Sequence, residues 1–165
     1  MLYCKDTPDG LIFNDGKTLQ IGDTWIFNPT HEHSIKNGWR EYVNTLDDNK
    51  EEKLDAMQKH CQTVKTLIMI DHDIKHITSN DIIDIKELIN SAIDVGRKTI
   101  YILPLDLHIE TNKAKKMMSE YRIYQMDCDD HALDLKEQIK SAKTQEELDS
   151  INITEGYPML KNFSS

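Results

Sequence analysis

Cysteine is scarce in this chain of 165 residues: Cys4, Cys61 and Cys128 lie far apart, and no two form a CxxC pair. An odd number at such spacing supports neither a disulfide framework nor a zinc ribbon, and it suits a protein made in a reducing cytoplasm. Long apolar runs are missing as well. No window approaches the roughly 18 apolar residues of a membrane span. The N-terminal MLYCKDTPDG has no basic run leading into an apolar segment, so no signal peptide is read there and a soluble chain is expected. Cations are short, with 20 Lys and Arg against 29 Asp and Glu, for a formal charge of −9. Nucleic-acid affinity is built by neutralising phosphates with Lys and Arg, so no such partner is expected, and no membrane either. The phosphate-cradling GxGxxG and GxxxxGK(S/T), the nucleophile motif GxSxG and the zinc-binding HExxH are all lacking. Hydrophobic content of 38% falls below the usual value of about 45 to 50%. So thin a core suggests that folding leans on a second chain or a scaffold.

What is present reads as an α+β fold in three parts. Residues 1–45 form an N-terminal β module. Turn signals at Asp9-Gly10, Asp15-Gly16 and Gly22 separate the short apolar runs Leu2-Tyr3, Leu11-Ile12-Phe13, Leu19-Gln20-Ile21 and Trp25-Ile26-Phe27. They predict a meander of three or four strands. The stretch NPTHEHSIKNGW, residues 28–39, follows. Asn28 or Thr30 suits an N-cap, Pro29 a first helical turn and Gly38 a left-handed C-terminal position, so a helix of about two turns is predicted. On such a helix His31 and His33 point apart and cannot share a metal ion; on a strand they would share a face. The helical joint explains every residue of the phrase, and the metal explains two.

Residues 46–63 read as a helical connector starting near Asn49, with Leu54, Met57, Cys61 and Val64 as its apolar stripe. Residues 64–165 form an α/β module. Its β-branched runs Thr66–Ile70 and Thr99–Leu103 flank a helix from Ser79 to Val95, with a Thr78/Asp81 capping box and Gly96 at its end. This predicts a strand–helix–strand unit, with antiparallel pairing by another route left open. A last strand from Leu105 to Ile109 could pair back onto the second.

From Thr111 to Ala142 there is neither Pro nor Gly. Steps of four and three from Ala114 land on Met118, Tyr121, Gln125, Cys128, Ala132, Leu135, Ile139 and Ala142. That is the period of a two-helix seam, about 42 Å long, in which Gln125 would be a polar residue fixing register. The same spacing serves a helix that covers a sheet of its own chain, and Asp127–His131 could interrupt the helix as a loop. Met118, Tyr121, Gln125, Cys128, Leu135 and Ile139 are the candidate dimer interface.

Two clusters carry chemically able side chains: Asp71-His72-Asp73 with His76, and Asp127-Cys128-Asp129-Asp130-His131. Neither has the repeated Cys/His gaps of a zinc site, and carboxylates and histidines in turns are usually solvated caps. No catalytic residue, metal site, cofactor or small-molecule substrate is assigned.

The phrase NPTHEHSIKNGWREYV, residues 28–43, resembles one near the start of small virion-associated structural proteins of phages that infect Bacteroidales, the crAss-like phages among them. The closing LKEQIKSAKTQEELDSINITEGYP, residues 135–158, is similar to their last segment and to phage tail-fibre assembly-type proteins. The resemblance implies a non-catalytic virion component of a capsid, tail fibre or appendage, made in the host cytoplasm. Its expected partners are a second copy of itself and other virion proteins. The alternative is a fibre-assembly chaperone that leaves the finished particle. Trp25, Trp39 and Tyr42 are the candidate partner-binding residues, because aromatic side chains anchor protein interfaces. A β module this small could instead need all three for its own core.

Overall fold

A computed structural model of the chain describes residues 2–8, 10–21 and 24–164. The predicted turn residues Asp9 and Gly22 lie outside the described residues. The fold is α+β, and it divides into two compact units, Met1–Asp47 and Asp48–Ser165.

In the first unit, β1 (Tyr3–Thr7) is the centre of a three-stranded antiparallel sheet between β2 (Gly10–Asn14) and β5 (Arg40–Glu41). Strands β3 (Thr18–Ile21) and β4 (Thr24–Phe27) make a separate hairpin. The predicted meander is therefore broken between β2 and β3. The cause is Asn14, whose side-chain oxygen accepts from the Gly16 N–H at 2.7 Å while its amide donates to the Thr18 carbonyl at 2.6 Å. Gly16 takes φ 74°, as the Asp-Gly signal suggested, and the chain leaves β2 without continuing its ladder. Helix α1 (His31–Lys36) starts where Thr30 accepts from the His33 N–H, and it ends before Gly38 at φ 78°. His31 is held by the Tyr3 hydroxyl through Nδ1 at 3.1 Å, whereas the His33 ring is exposed. The phrase is a joint locked onto β1.

The second unit is built on three helices: α2 (Leu46–Lys65), α3 (Ser79–Asp94) and α4 (Thr111–Ser141). Two small sheets complete it. Strand β6 (Leu67–Ile70) turns back at once into β7 (Asp73–His76), through Asp71 at φ 49° and His72 at φ 70°. Two consecutive left-handed residues make the hairpin turn that matches strand twist. The other edge of β6 is taken by a parallel strand from the C-terminal tail, β10 (Asn162–Phe163). Both edges of β6 are thus taken, and among the described residues β8 (Thr99–Ile102) pairs with β9 (Leu107–Glu110) in a hairpin of its own. Alternation decides its faces, since Ile100, Ile102, Leu107 and Ile109 are buried and Tyr101 and His108 exposed.

The Thr78/Asp81 capping box forms in both directions, with the Thr78 N–H donating to Asp81 at 2.8 Å and the Asp81 N–H to the Thr78 hydroxyl at 3.2 Å. The Thr78 hydroxyl, donating to the Asp81 carboxylate at 2.6 Å, and then the Thr78 N–H hold that carboxyl below its ordinary pKa. Short helix α5 (Gln145–Ser150) begins at Thr144, which accepts from the Glu147 N–H. Helix α2 belongs to the second unit along nearly all its length: Lys53 donates to the Leu148 carbonyl and Asn49 to the Gln145 side chain. Ile68, Ile85, Ile89, Ile102, Leu107, Met117, Tyr121 and Cys128 belong to a continuous core.

Two glycines separate backbone strain from collision. Gly96 and Gly156 have φ 68° and 84°, but a Cβ at Gly96 would meet nothing within 4 Å, while one at Gly156 would lie 2.7 Å from the His131 ring. Gly96→Ala should cost about 1–2 kcal/mol from the left-handed backbone alone. Gly156→Ala should cost about 2–5 kcal/mol once the displaced ring is added. Urea denaturation of both variants checks the order; equal losses would show that the Gly156–His131 contact contributes nothing.

Candidate interaction surfaces

The predicted seam lies on one uninterrupted helix, so the suggested loop at Asp127–His131 does not form. It does not face outward. Met118, Tyr121, Gln125, Cys128, Leu135 and Ile139 are all buried within the chain itself. The expectation of a dimer interface at these six residues is corrected accordingly, and the physical reason lies at the end of α2. The last carbonyls of a helix have no partner within it. Here they find partners on α4: the Tyr121 hydroxyl donates to the Lys65 carbonyl at 2.6 Å, the Gln125 amide to the same oxygen at 3.2 Å and the Tyr124 hydroxyl to the Val64 carbonyl at 3.1 Å. Gln125 is thus a cap for a neighbouring helix.

Several members of the chemically suggestive clusters are used structurally. Asp71 and His72 form the β6–β7 turn, with the His72 N–H donating to the Asn162 side chain at 2.8 Å, and His76 Nδ1 meets the Thr66 hydroxyl at 3.2 Å. On α4, Asp129 pairs with Lys65 at 2.6 Å. His131 lies 2.9 Å from the Glu155 carbonyl, and its ring packs edge-on against Tyr157 at 4.7 Å. Across Tyr157 the His60 ring makes a similar contact at 5.2 Å. Among the described residues no group of three or more His, Cys, Asp or Glu is placed to hold a metal ion.

Cys4, Cys61 and Cys128 are buried and unbridged. Burial pushes the Cys61 thiol up and raises that of Cys128 to about 11. A nucleophilic cysteine needs the opposite shift. Burial also pushes the Tyr121 and Tyr157 phenols up to about 12.

In the first unit, the three predicted partner-binding aromatics separate. Trp25 is 56% exposed. Tyr42 is half-buried, with its ring edge-on to Phe13 at 5.1 Å, and Trp39 is half-buried where the chain leaves α1. Trp39 and Tyr42 are thus partly used by the unit's own packing. The outward face has a member that the prediction missed. Register pairs Gln20 with Trp25 and Thr18 with Phe27, so Trp25 and Phe27 share one face of the β3–β4 hairpin. Leu19 and Ile26 fill the other. Phe27 is 74% exposed, and its spacing of two from Trp25 on a strand was the available signal.

The chain finds no match among family models, curated proteins or solved structures. No helix among the described residues is long and apolar enough to cross a membrane.

The cap on α2 makes two expectations. Tyr121→Phe and Gln125→Leu should each cost about 1 kcal/mol, because the Lys65 carbonyl keeps one donor in either variant. The double variant should lose about 1 kcal/mol more than the sum, since the oxygen is then orphaned; strict additivity in a double-mutant cycle would refute the shared cap. Stability should also fall at alkaline pH. The fold holds the Cys128 and Tyr121 protons more tightly than the unfolded chain does, so their contribution is complete below about pH 9 and drains away towards pH 11–12. A urea midpoint that is unchanged between pH 8 and pH 11 would contradict it.

Proposed function

We propose that the chain is a non-catalytic structural component of a bacteriophage particle, attached to another particle protein through the outer face of the β3–β4 hairpin. The observation that carries the attachment is the pair Trp25 and Phe27, set side by side on one face of a two-stranded ribbon and both more than half exposed. A ribbon of two strands is marginal alone, and covering one face with a partner stabilises it. Large aromatic side chains lose little entropy when fixed and dominate interface energetics. The phage setting rests on the resemblance of residues 28–43 and 135–158. The non-catalytic role is supported by the use made of the reactive groups: buried thiols, and carboxylates and histidines engaged in turns, caps and ion pairs.

Mass spectrometry of purified particles tests the reading. The chain should be present in fixed stoichiometry, and Trp25→Ser with Phe27→Ser should weaken its attachment about thirtyfold or more while leaving its unfolding midpoint nearly unchanged. Presence in the infected cell but absence from particles would overturn it in favour of a fibre-assembly chaperone.

A further inference from the structure

A second surface, independent of the hairpin, lies on the second unit. Helices α3 and α4 leave a groove of about 480 Å³ between them, with Ile89 and Met118 as its buried floor and Lys86, Lys115, Arg122 and Ile123 around it. It runs on into a neighbouring hollow of about 310 Å³ that shares Lys86 and Arg122 and ends near Lys65 and Gln125. Along α4 the lining passes from 115 to 125 while along α3 it passes from 90 back to 79, so the groove follows two antiparallel helices.

Its charge is unlike that of the rest of the molecule. Acids outnumber bases 29 to 20 in the chain, yet among the described residues no acidic side chain lines either part of the groove. Lys65 is paired with Asp129. Among the described residues Lys86, Lys115 and Arg122 make no ion pair and no side-chain hydrogen bond. Three uncompensated cations around an apolar floor ask for an anion with an apolar body. Their spacing narrows the choice. Lys115 and Arg122 are seven residues apart on one helix, hence about 10.5 Å along its axis, with Met118 midway. A compact anion reaches one end; a second helix reaches both, if its acids recur every seven residues around apolar side chains at the third and fourth.

We infer that the α3–α4 groove of the second unit docks an acidic amphipathic helix of a partner protein, with carboxylates set against Lys115, Arg122 and Lys86 and apolar side chains on Ile89, Met118 and Ile123. The inference does not rest on the hairpin surface or on the phage setting.

The probe is a synthetic helical peptide of about three heptads with Glu at one heptad position and Leu three and four residues later. Fluorescence anisotropy with the full chain should show saturable binding that weakens as salt rises from 50 to 500 mM, roughly a threefold shortening of the screening length. A scrambled peptide of the same composition should bind at least about tenfold more weakly. Lys115→Glu with Arg122→Glu should weaken binding about tenfold or more, and Lys115→Gln with Arg122→Gln by less. These exposed positions leave the core untouched, and circular dichroism verifies the fold. Amide shifts on titration should cluster on residues 79–90 of α3 and 115–125 of α4. The Trp25→Ser, Phe27→Ser variant should bind the peptide as the native chain does, which separates this site from the hairpin. Equal binding of the scrambled peptide would overturn the inference. So would native affinity in both charge variants, shifts located elsewhere, or binding of dodecanoate or inorganic phosphate without binding of the peptide.

Discussion

The second unit depends on how the last turn of α2 is closed. A helix that ends inside a protein leaves carbonyl groups needing donors, and an unmet one costs about 1–3 kcal/mol. Tyr121, Tyr124 and Gln125 supply those donors from successive turns of α4. That requirement fixes the rotation of α4 about its axis. With three polar tips aimed at Val64 and Lys65, the remaining residues of the same stripe, among them Met118, Cys128 and Leu135, are turned inward as well. Lys65 then holds Asp129 one turn further along. The stripe that looked like an intermolecular seam is covered by elements of its own chain.

The C-terminal tail answers to the same pair of helices. Tyr157 is set between His60 of α2 and His131 of α4, with its hydroxyl buried beside the Cys61 thiol. Gly156 brings the backbone against the His131 ring, where a side chain has no room. Beyond it, β10 completes the β6 sheet, and the Phe163 carbonyl accepts from the Asp71 N–H at 2.8 Å. The tail crosses both helices and then closes the sheet.

Much of this was legible locally. Thr30 and Thr78 marked helix starts because short hydroxyl side chains satisfy free N–H groups, and Gly38 and Gly96 marked ends because they tolerate positive φ. The β8–β9 hairpin was read as a last strand able to pair back onto the one before it, and it does. What was not legible is partnership. A heptad stripe records that one face is covered and says nothing of which chain covers it. The stretch after Ile70 read as a turn, but with no glycine at Asp71 and His72 the two left-handed residues did not mark it as the tight hairpin that returns β7 onto β6. A two-residue parallel strand such as β10 has no pattern at all. On the candidate surface, Trp25 was legible by size, Phe27 only once β4 was known to be a strand, and the α3–α4 groove only once two distant segments were set side by side.

The three thiols carry one further consequence. Each is enclosed and unbridged, and burial raises the Cys61 and Cys128 thiols away from the thiolate form that oxidants attack. Passage from a reducing to an oxidising medium would therefore reach the sulfur atoms only as fast as the core around them opens.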